Sequence, residues 1–168
     1  MWTWSFGCQV SVLGSEERWE EVLKASQECF ERLGYRYKYS EALAYMALDR
    51  REELEGLIRA GLLDDIPNLR EPLPWIVLIR ALTQAYLGER ERAETSFEQA
   101  ITSFETRGSR IGLARALYGR AMFWQSGGRA EPALADAERS EELFRACGAK
   151  QDEQKAKALA SALRSSRK

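Results

Sequence analysis

PWIVLIRALTQAYLGERERAETSFEQAITSFETRG, residues 74–108, holds two amphipathic helical patterns joined at Leu87-Gly88. In the first, Leu78, Ala81, Leu82, Ala85 and Tyr86 recur at three- and four-residue steps, and in the second Ala93, Phe97, Ala100, Ile101 and Phe104 do the same. That spacing gathers apolar side chains onto one face of a helix of about 3.6 residues per turn. Between the patterns, Gly88 accepts backbone angles that a Cβ disfavours, and Glu89, Arg90 and Glu91 stay in water. So short a link makes the two helices antiparallel neighbours.

The same layout recurs along the chain. Phe30, Phe104 and Phe144 each precede a glycine by four residues, at Gly34, Gly108 and Gly148. Counting back sixteen residues from each Phe reaches Gly14, Gly88 and Gly128. Between glycine and Phe, the sets Trp19/Ala93/Ala133, Leu23/Phe97/Ala137 and Ser26/Ala100/Ser140 occupy matching places. Ala42-Leu43-Ala44-Tyr45-Met46-Ala47-Leu48 likewise parallels Ala116-Leu117-Tyr118-Gly119-Arg120-Ala121-Met122. The second and third of these phenylalanines are 40 residues apart and the first and second 74, which fits stacked units of about 34–40 residues and a solenoid of helix pairs.

The remaining segments complete that frame. A helix is expected over 16–33 with Ser15 as N-cap and Trp19, Val22, Leu23, Ser26, Phe30 and Leu33 on its inner face. Another covers 39–48, and Asp49 with Glu52 forms a capping-box start for a helix reaching about Leu62. Pro67, Pro72 and Pro74 mark the longest connector, a seam at 63–73, with the last two also placed to open the next helix. Further helices are expected at 109–126, 131–146 and 151–163, the last a capping helix with only Ala156, Leu159, Ala160 and Leu163 facing inward. Residues 1–13 admit two readings. Trp2, Trp4, Phe6, Cys8, Val10 and Val12 alternate with polar or small residues as in a half-buried strand, which needs a second molecule to pair with. The alternative, favoured by the copy of the Leu-Gly junction at Leu13-Gly14, is a degenerate first helix.

Composition agrees with an all-α class: Ala, Leu, Glu and Arg dominate, with four prolines in 168 residues. That length suits a single domain spanning 1–168 or roughly four helical hairpins. Twenty-five basic and 26 acidic residues leave a net charge of -1, so no long-range field favours nucleic acid. Residues 150–168 are locally basic, which reads as a solvated end helix. No run approaches the ~18 apolar residues of a membrane span and no secretory leader is evident, so no membrane partner and a cytoplasmic location are expected. Cys8, Cys29 and Cys147 are odd in number and far apart, which fits reduced, buried thiols.

Histidine is absent, which removes imidazole bases, His-containing zinc sites and every Ser-His or Cys-His pair. Glu16, Glu17, Glu20 and Glu21 crowd one helix start, where the helix dipole favours acids, and no further ligands converge on them. Neither common phosphate-cradling glycine pattern occurs. No enzyme, cofactor or metal is expected.

Ala93-x-x-x-Phe97-x-x-Ala100 after Leu87-Gly88, echoed from Gly128 to Phe144, resembles the tetratricopeptide-repeat family over nearly the whole chain. The 40-residue period closed by Phe-x-x-x-Gly is similar to degenerate repeats in the sensor domains of bacterial maltose-activator-type transcription regulators. The chain departs from the family in its third unit, which lacks the usual Trp and Leu of the first helix, and at Arg80 and Arg120, where an apolar residue is expected. The resemblance implies a right-handed α-solenoid of about 3.5–4 repeats whose first helices line a concave groove for a protein or peptide. Carried onto this chain, that groove shows Trp75, Leu78, Leu82 and Tyr86 from one unit and Arg115, Tyr118, Met122 and Gln125 from the next. Such a mixture suits an amphipathic partner with an apolar face and an acidic edge; the competing reading is that these residues pack repeat against repeat. Arg80 and Arg120, at equivalent positions, are either paired anion contacts or partners of acids on neighbouring helices. A chaperone-tail clamp is disfavoured, because the one asparagine, Asn68, lies in the connector. The expected function is a non-enzymatic binding scaffold; the alternative is a small-molecule-sensing, oligomerising part of a bacterial regulator, with homodimerisation through residues 1–13 a further option.

Overall fold

A computed structural model describes residues 17–34, 37–61 and 73–166, which form eight helices and no strand. Two compact units divide the chain, residues 1–70 and 71–168, and the division falls within the connector expected as a seam. The readings of residues 1–13, of Ser15 as a cap and of Glu16 lie outside the described residues.

The second unit contains α4 (Pro74–Leu87), α5 (Arg90–Thr106), α6 (Arg110–Ser126), α7 (Ala130–Ala146) and α8 (Lys150–Ser165). Pro74 opens α4, where its missing N–H has no intrahelical partner to lose. Each corner between these helices is the same device. At Gly108, φ is 65°; its N–H donates to the Glu105 carbonyl at 3.0 Å and the Ser109 N–H donates to the Phe104 carbonyl at 3.0 Å. That pair of bonds ends a helix while satisfying its last carbonyls, and the left-handed residue at its centre is cheapest as glycine. Gly88, Gly128 and Gly148 repeat it at twenty-residue intervals, so α5, α6 and α7 are each 17 residues long.

Equal helices and equal corners set the packing. α4 lies against α5, α5 against α6, α6 against α7 and α7 against α8. One cluster joins Val77, Leu78 and Ala81 of α4 to Ala93, Phe97, Ala100 and Phe104 of α5 and Leu113, Ala116 and Leu117 of α6. A second joins Ala121 and Trp124 to Ala133, Ala137, Ala160 and Leu163, and Phe123 packs against both. The phenylalanines of α5 seat on glycines of α6. A Cβ at Gly112 would lie 2.3 Å from the Phe104 ring, and one at Gly119 would lie 3.2 Å from the Phe97 ring. Helical glycine costs about 1 kcal/mol against alanine, and here it admits a ring to the helix backbone.

In the first unit, α1 (Trp19–Leu33), α2 (Lys38–Ala47) and α3 (Arg51–Arg59) follow one another. Two expectations fail here. Phe30 and Leu33 do not face inward: they are 47% and 41% exposed, and α1 buries the expected Val22 and Ser26 together with Ala25 and Cys29. The helix is thus turned about its axis relative to the repeat pattern. A polar contact holds that orientation, since buried Ser26 donates to Glu41 of α2 at 2.5 Å and accepts from the Tyr37 N–H at 3.1 Å. Asp49 does not cap α3. Its φ is 55°, it occupies the left-handed corner that glycine fills elsewhere, and the Arg50 N–H behind it donates to the Tyr45 carbonyl at 2.8 Å. Arg50 becomes the N-cap and makes no side-chain capping bond, and α3 ends at Arg59. The thiols divide too: Cys29 is buried and Cys147 exposed.

Candidate partner-binding face of the second unit

Among the described residues, no helix is long and apolar enough to cross a membrane, and no cluster of three Cys, Asp or Glu could hold a metal ion. The acidic start of α1 is taken up in ion pairs. Glu21 accepts from Arg18 Nε at 2.7 Å, which holds its carboxyl below the usual range, and Glu20 accepts from Arg50 at 2.7 Å. Both pairs are exposed.

The eight residues expected to line a groove separate into inward and outward sets. Leu78 is 3% exposed and belongs to the core joining α4, α5 and α6, so it cannot meet a partner. Leu82 is half-buried, its Cδ2 3.0 Å from where a Cβ on Gly119 would stand, and it also packs helix on helix. Tyr118 meets the Phe144 ring edge-on at 6.5 Å, against Ala114 and Ala156. Tyr86 is half-buried. Trp75, Arg115, Met122 and Gln125 are exposed. The cause is helical geometry: Trp75 and Leu78 share a face, yet the three-residue step between them turns one rim of that face outward.

Trp75 and Arg115 begin a row of outward residues. The Trp75 ring meets Phe104 edge-on at 4.9 Å, so one side of the indole is fixed by the core while 41% of the residue remains exposed. The Arg115 guanidinium of α6 lies 5.7 Å from the centroid of that ring, within reach of a cation–π attraction. On its other side, Arg115 Nη2 reaches Asp152 of α8 at 3.5 Å. One line of side chains therefore crosses α4, α6 and α8. Met122 and Gln125 continue outward on α6 at steps of seven and three from Arg115, which keeps them on the same side of the helix.

The arginines at equivalent repeat positions are both half-buried. Arg120 is engaged within its own hairpin, where Nε and Nη2 donate to the two Asp136 oxygens at 2.7 and 2.9 Å, with side-chain exposures of 21% and 11%. That two-pronged geometry occupies the Nε/Nη2 edge, one of the two edges through which a guanidinium grips a carboxylate. Of the two readings of Arg120, the geometry shows the pairing with an acid of the neighbouring helix. Arg80 is half-buried on α4.

Two features were missed in the sequence. Asp152 is one, since nothing in its local pattern points to a helix two elements away. The other is an open depression of about 590 Å³ along the outer side of α5, lined by Thr95, Gln99, Thr102 and Thr106 with Glu98 and Arg107. Its signal was present: four uncharged polar residues at helical spacing, in a chain of which 30% is charged.

Compared with family models, curated proteins and solved structures, the chain finds no match.

Proposed function

We propose that the second unit is a short tetratricopeptide-like solenoid and that the protein is a non-enzymatic scaffold, binding a peptide segment of a partner along α4, α6 and α8. One observation carries the reading. α4 approaches α6, and α6 approaches α8, whereas the Cα traces of α5 and α7 nowhere come within 8 Å of each other. Long side chains span that second gap, as Arg139 does to Glu105 at 2.8 Å and Arg129 to Glu94 at 3.5 Å. A stack whose even-numbered helices touch and whose odd-numbered helices are propped apart curves toward the even-numbered ones, which makes their outward row the concave side. On that row, Trp75 and Met122, 41% and 50% exposed, supply the apolar anchors of a recognition surface and Gln125 a polar one.

Selection of random dodecapeptides displayed on phage against the intact chain tests this. Selected peptides lose about tenfold or more in affinity for a Trp75→Ala/Met122→Ala variant, since anchors of this kind each contribute above ~1 kcal/mol. Circular dichroism of the variant checks that its helices persist, since Trp75 also covers an edge of the Phe104 ring. Peptides that bind the variant as tightly as the parent, or no selectable peptide at all, rule the face out.

A further inference from the structure

Arg129, whose guanidinium lies 3.9 Å from the Trp124 centroid and whose Nη1 reaches Glu94 at 3.5 Å, bridges to α5 away from the row; on the row itself, Arg115 is also loosely paired. The Arg115 guanidinium rests near a half-exposed indole on one side and meets a carboxylate through a single long contact on the other, Nη2 to Asp152 Oδ2 at 3.5 Å. By contrast, Arg120 grips Asp136 through two contacts of 2.7 and 2.9 Å, Arg164 reaches Glu138 at 2.6 Å and Arg139 reaches Glu105 at 2.8 Å. A guanidinium presents five N–H donors in a rigid fork, and a carboxylate meets it best through two parallel bonds. Asp152 is therefore a poor fit to the fork that Trp75 helps to orient.

Asp152 also has a second source of stabilisation. It lies in the first turn of α8, where the exposed N–H groups and the helix dipole favour an acid whether or not Arg115 is beside it. Losing Arg115 thus leaves Asp152 in a tolerable place, while Arg115, half exposed, faces the row that carries Trp75 and Met122.

We infer that Arg115 receives an acidic side chain of the bound peptide, and that Asp152 is an internal competitor occupying its place in the unliganded protein. This rests on the peptide-binding reading of the row and adds a chemical requirement: an Asp or Glu next to an apolar residue that reaches Trp75. Binding then exchanges one loose ion pair for a two-pronged one, and the carboxylate of α8 is released to water.

The probe is the set of dodecapeptides selected on the intact chain. Asp or Glu is enriched beside an apolar residue, and replacing that acid by its amide weakens binding about tenfold, as expected for loss of a charge-assisted bond. Arg115→Gln weakens it equally and makes the acid irrelevant. Asp152→Asn, which removes the competitor and keeps the shape, strengthens binding of the acidic peptides a few-fold and leaves the amide peptides unchanged. Glu138→Gln, at an exposed pair elsewhere, changes neither. Peptides lost on Trp75→Ala/Met122→Ala but indifferent to Arg115→Gln would leave the row standing and sink the carboxylate seat. Peptides indifferent to all these variants, or none selected, would remove both. Should Asp152→Asn weaken acidic peptides as Arg115→Gln does, Asp152 positions the arginine, and the competition is wrong.

Discussion

Phe30 and Phe104 stand at the same place in the same pattern, four residues before a glycine that takes a left-handed conformation, with φ of 67° at Gly34 and 65° at Gly108. Phe104 is 1% exposed and Phe30 is 47% exposed. Both helices form and each is followed by a left-handed glycine. What differs is the surface across the corner. Four residues after Gly108 comes Gly112, and the Phe104 ring lies on its backbone, with Trp75 at its edge. Four residues after Gly34 comes Lys38, whose Nζ donates to the Gly61 carbonyl at 2.8 Å. A side chain at that place does not by itself unseat a ring, since Phe144 is 1% exposed with Asp152 four residues after Gly148; in the first unit α1 turns Ala25 and Cys29 inward beside Ser26. A repeat pattern therefore specifies helices and corners, while the facing residues decide which side of a helix is buried.

The largest test of that difference is removal of each ring. Phe104→Ala should cost about 3–5 kcal/mol, the range for a large aromatic truncated in a packed core. Phe30→Ala should cost under about 1 kcal/mol, as a half-exposed side chain gives up little buried area. Urea unfolding of the two variants checks the pair. Equal losses would mean that Phe30 is covered in solution and that the two regions are alike after all.

A polar version of the same contrast lies within the second unit. Position 96 and position 136 are equivalent by the forty-residue period, yet Ser96 donates to Gln84 at 2.7 Å while Asp136 receives both prongs of Arg120. Asp136→Ser, which copies the earlier repeat into the later one, leaves the mostly buried guanidinium without its carboxylate and should cost about 1–3 kcal/mol. Glu138→Gln, two residues along the same helix, breaks a pair exposed on both sides and should cost about 0–1 kcal/mol. If Asp136→Ser is as mild as Glu138→Gln, the equivalent positions are interchangeable and burial at this pair contributes nothing.

Much of this was legible because helices are local objects. In the second unit, apolar steps and glycines located every helix to within a residue or two, and the period exposed the equivalence of its hairpins. In the first unit the same rules misplaced the start of α3. An aspartate three residues before a glutamate reads as a capping box, but Asp49 takes the left-handed corner of the preceding helix instead. The candidate face was half legible. A helical stripe shows which residues share a side, and it does not show where along its width a neighbouring helix stops covering it. Leu78 and Trp75 differ only in that respect. Asp152 and the Phe123 that packs against two clusters depend on helices distant in sequence, and no periodicity encodes them.

The finest comparison is between the two glycines of α6. At Gly112 an added Cβ would come within 2.3 Å of two atoms of the Phe104 ring, itself wedged against Trp75 and unable to slide. At Gly119 the nearest atoms are Leu82 Cδ2 at 3.0 Å, the tip of a flexible side chain, and a Phe97 carbon at 3.2 Å. Alanine gains up to about 1 kcal/mol over glycine inside a helix, whichever site it enters. At Gly112, overpacking of about 1–3 kcal/mol exceeds that gain, so Gly112→Ala should be destabilising on balance. At Gly119 a shift of a few tenths of an ångström relieves the contact, and Gly119→Ala should fall within about 0.5 kcal/mol of the parent. Double substitution with Phe104→Ala separates the causes. Once the ring is gone, Gly112→Ala should become neutral or stabilising, while Gly119→Ala should not change. A Gly112→Ala cost that survives the loss of Phe104 would place the strain elsewhere, and the facing glycine would then not be what seats the Phe104 ring.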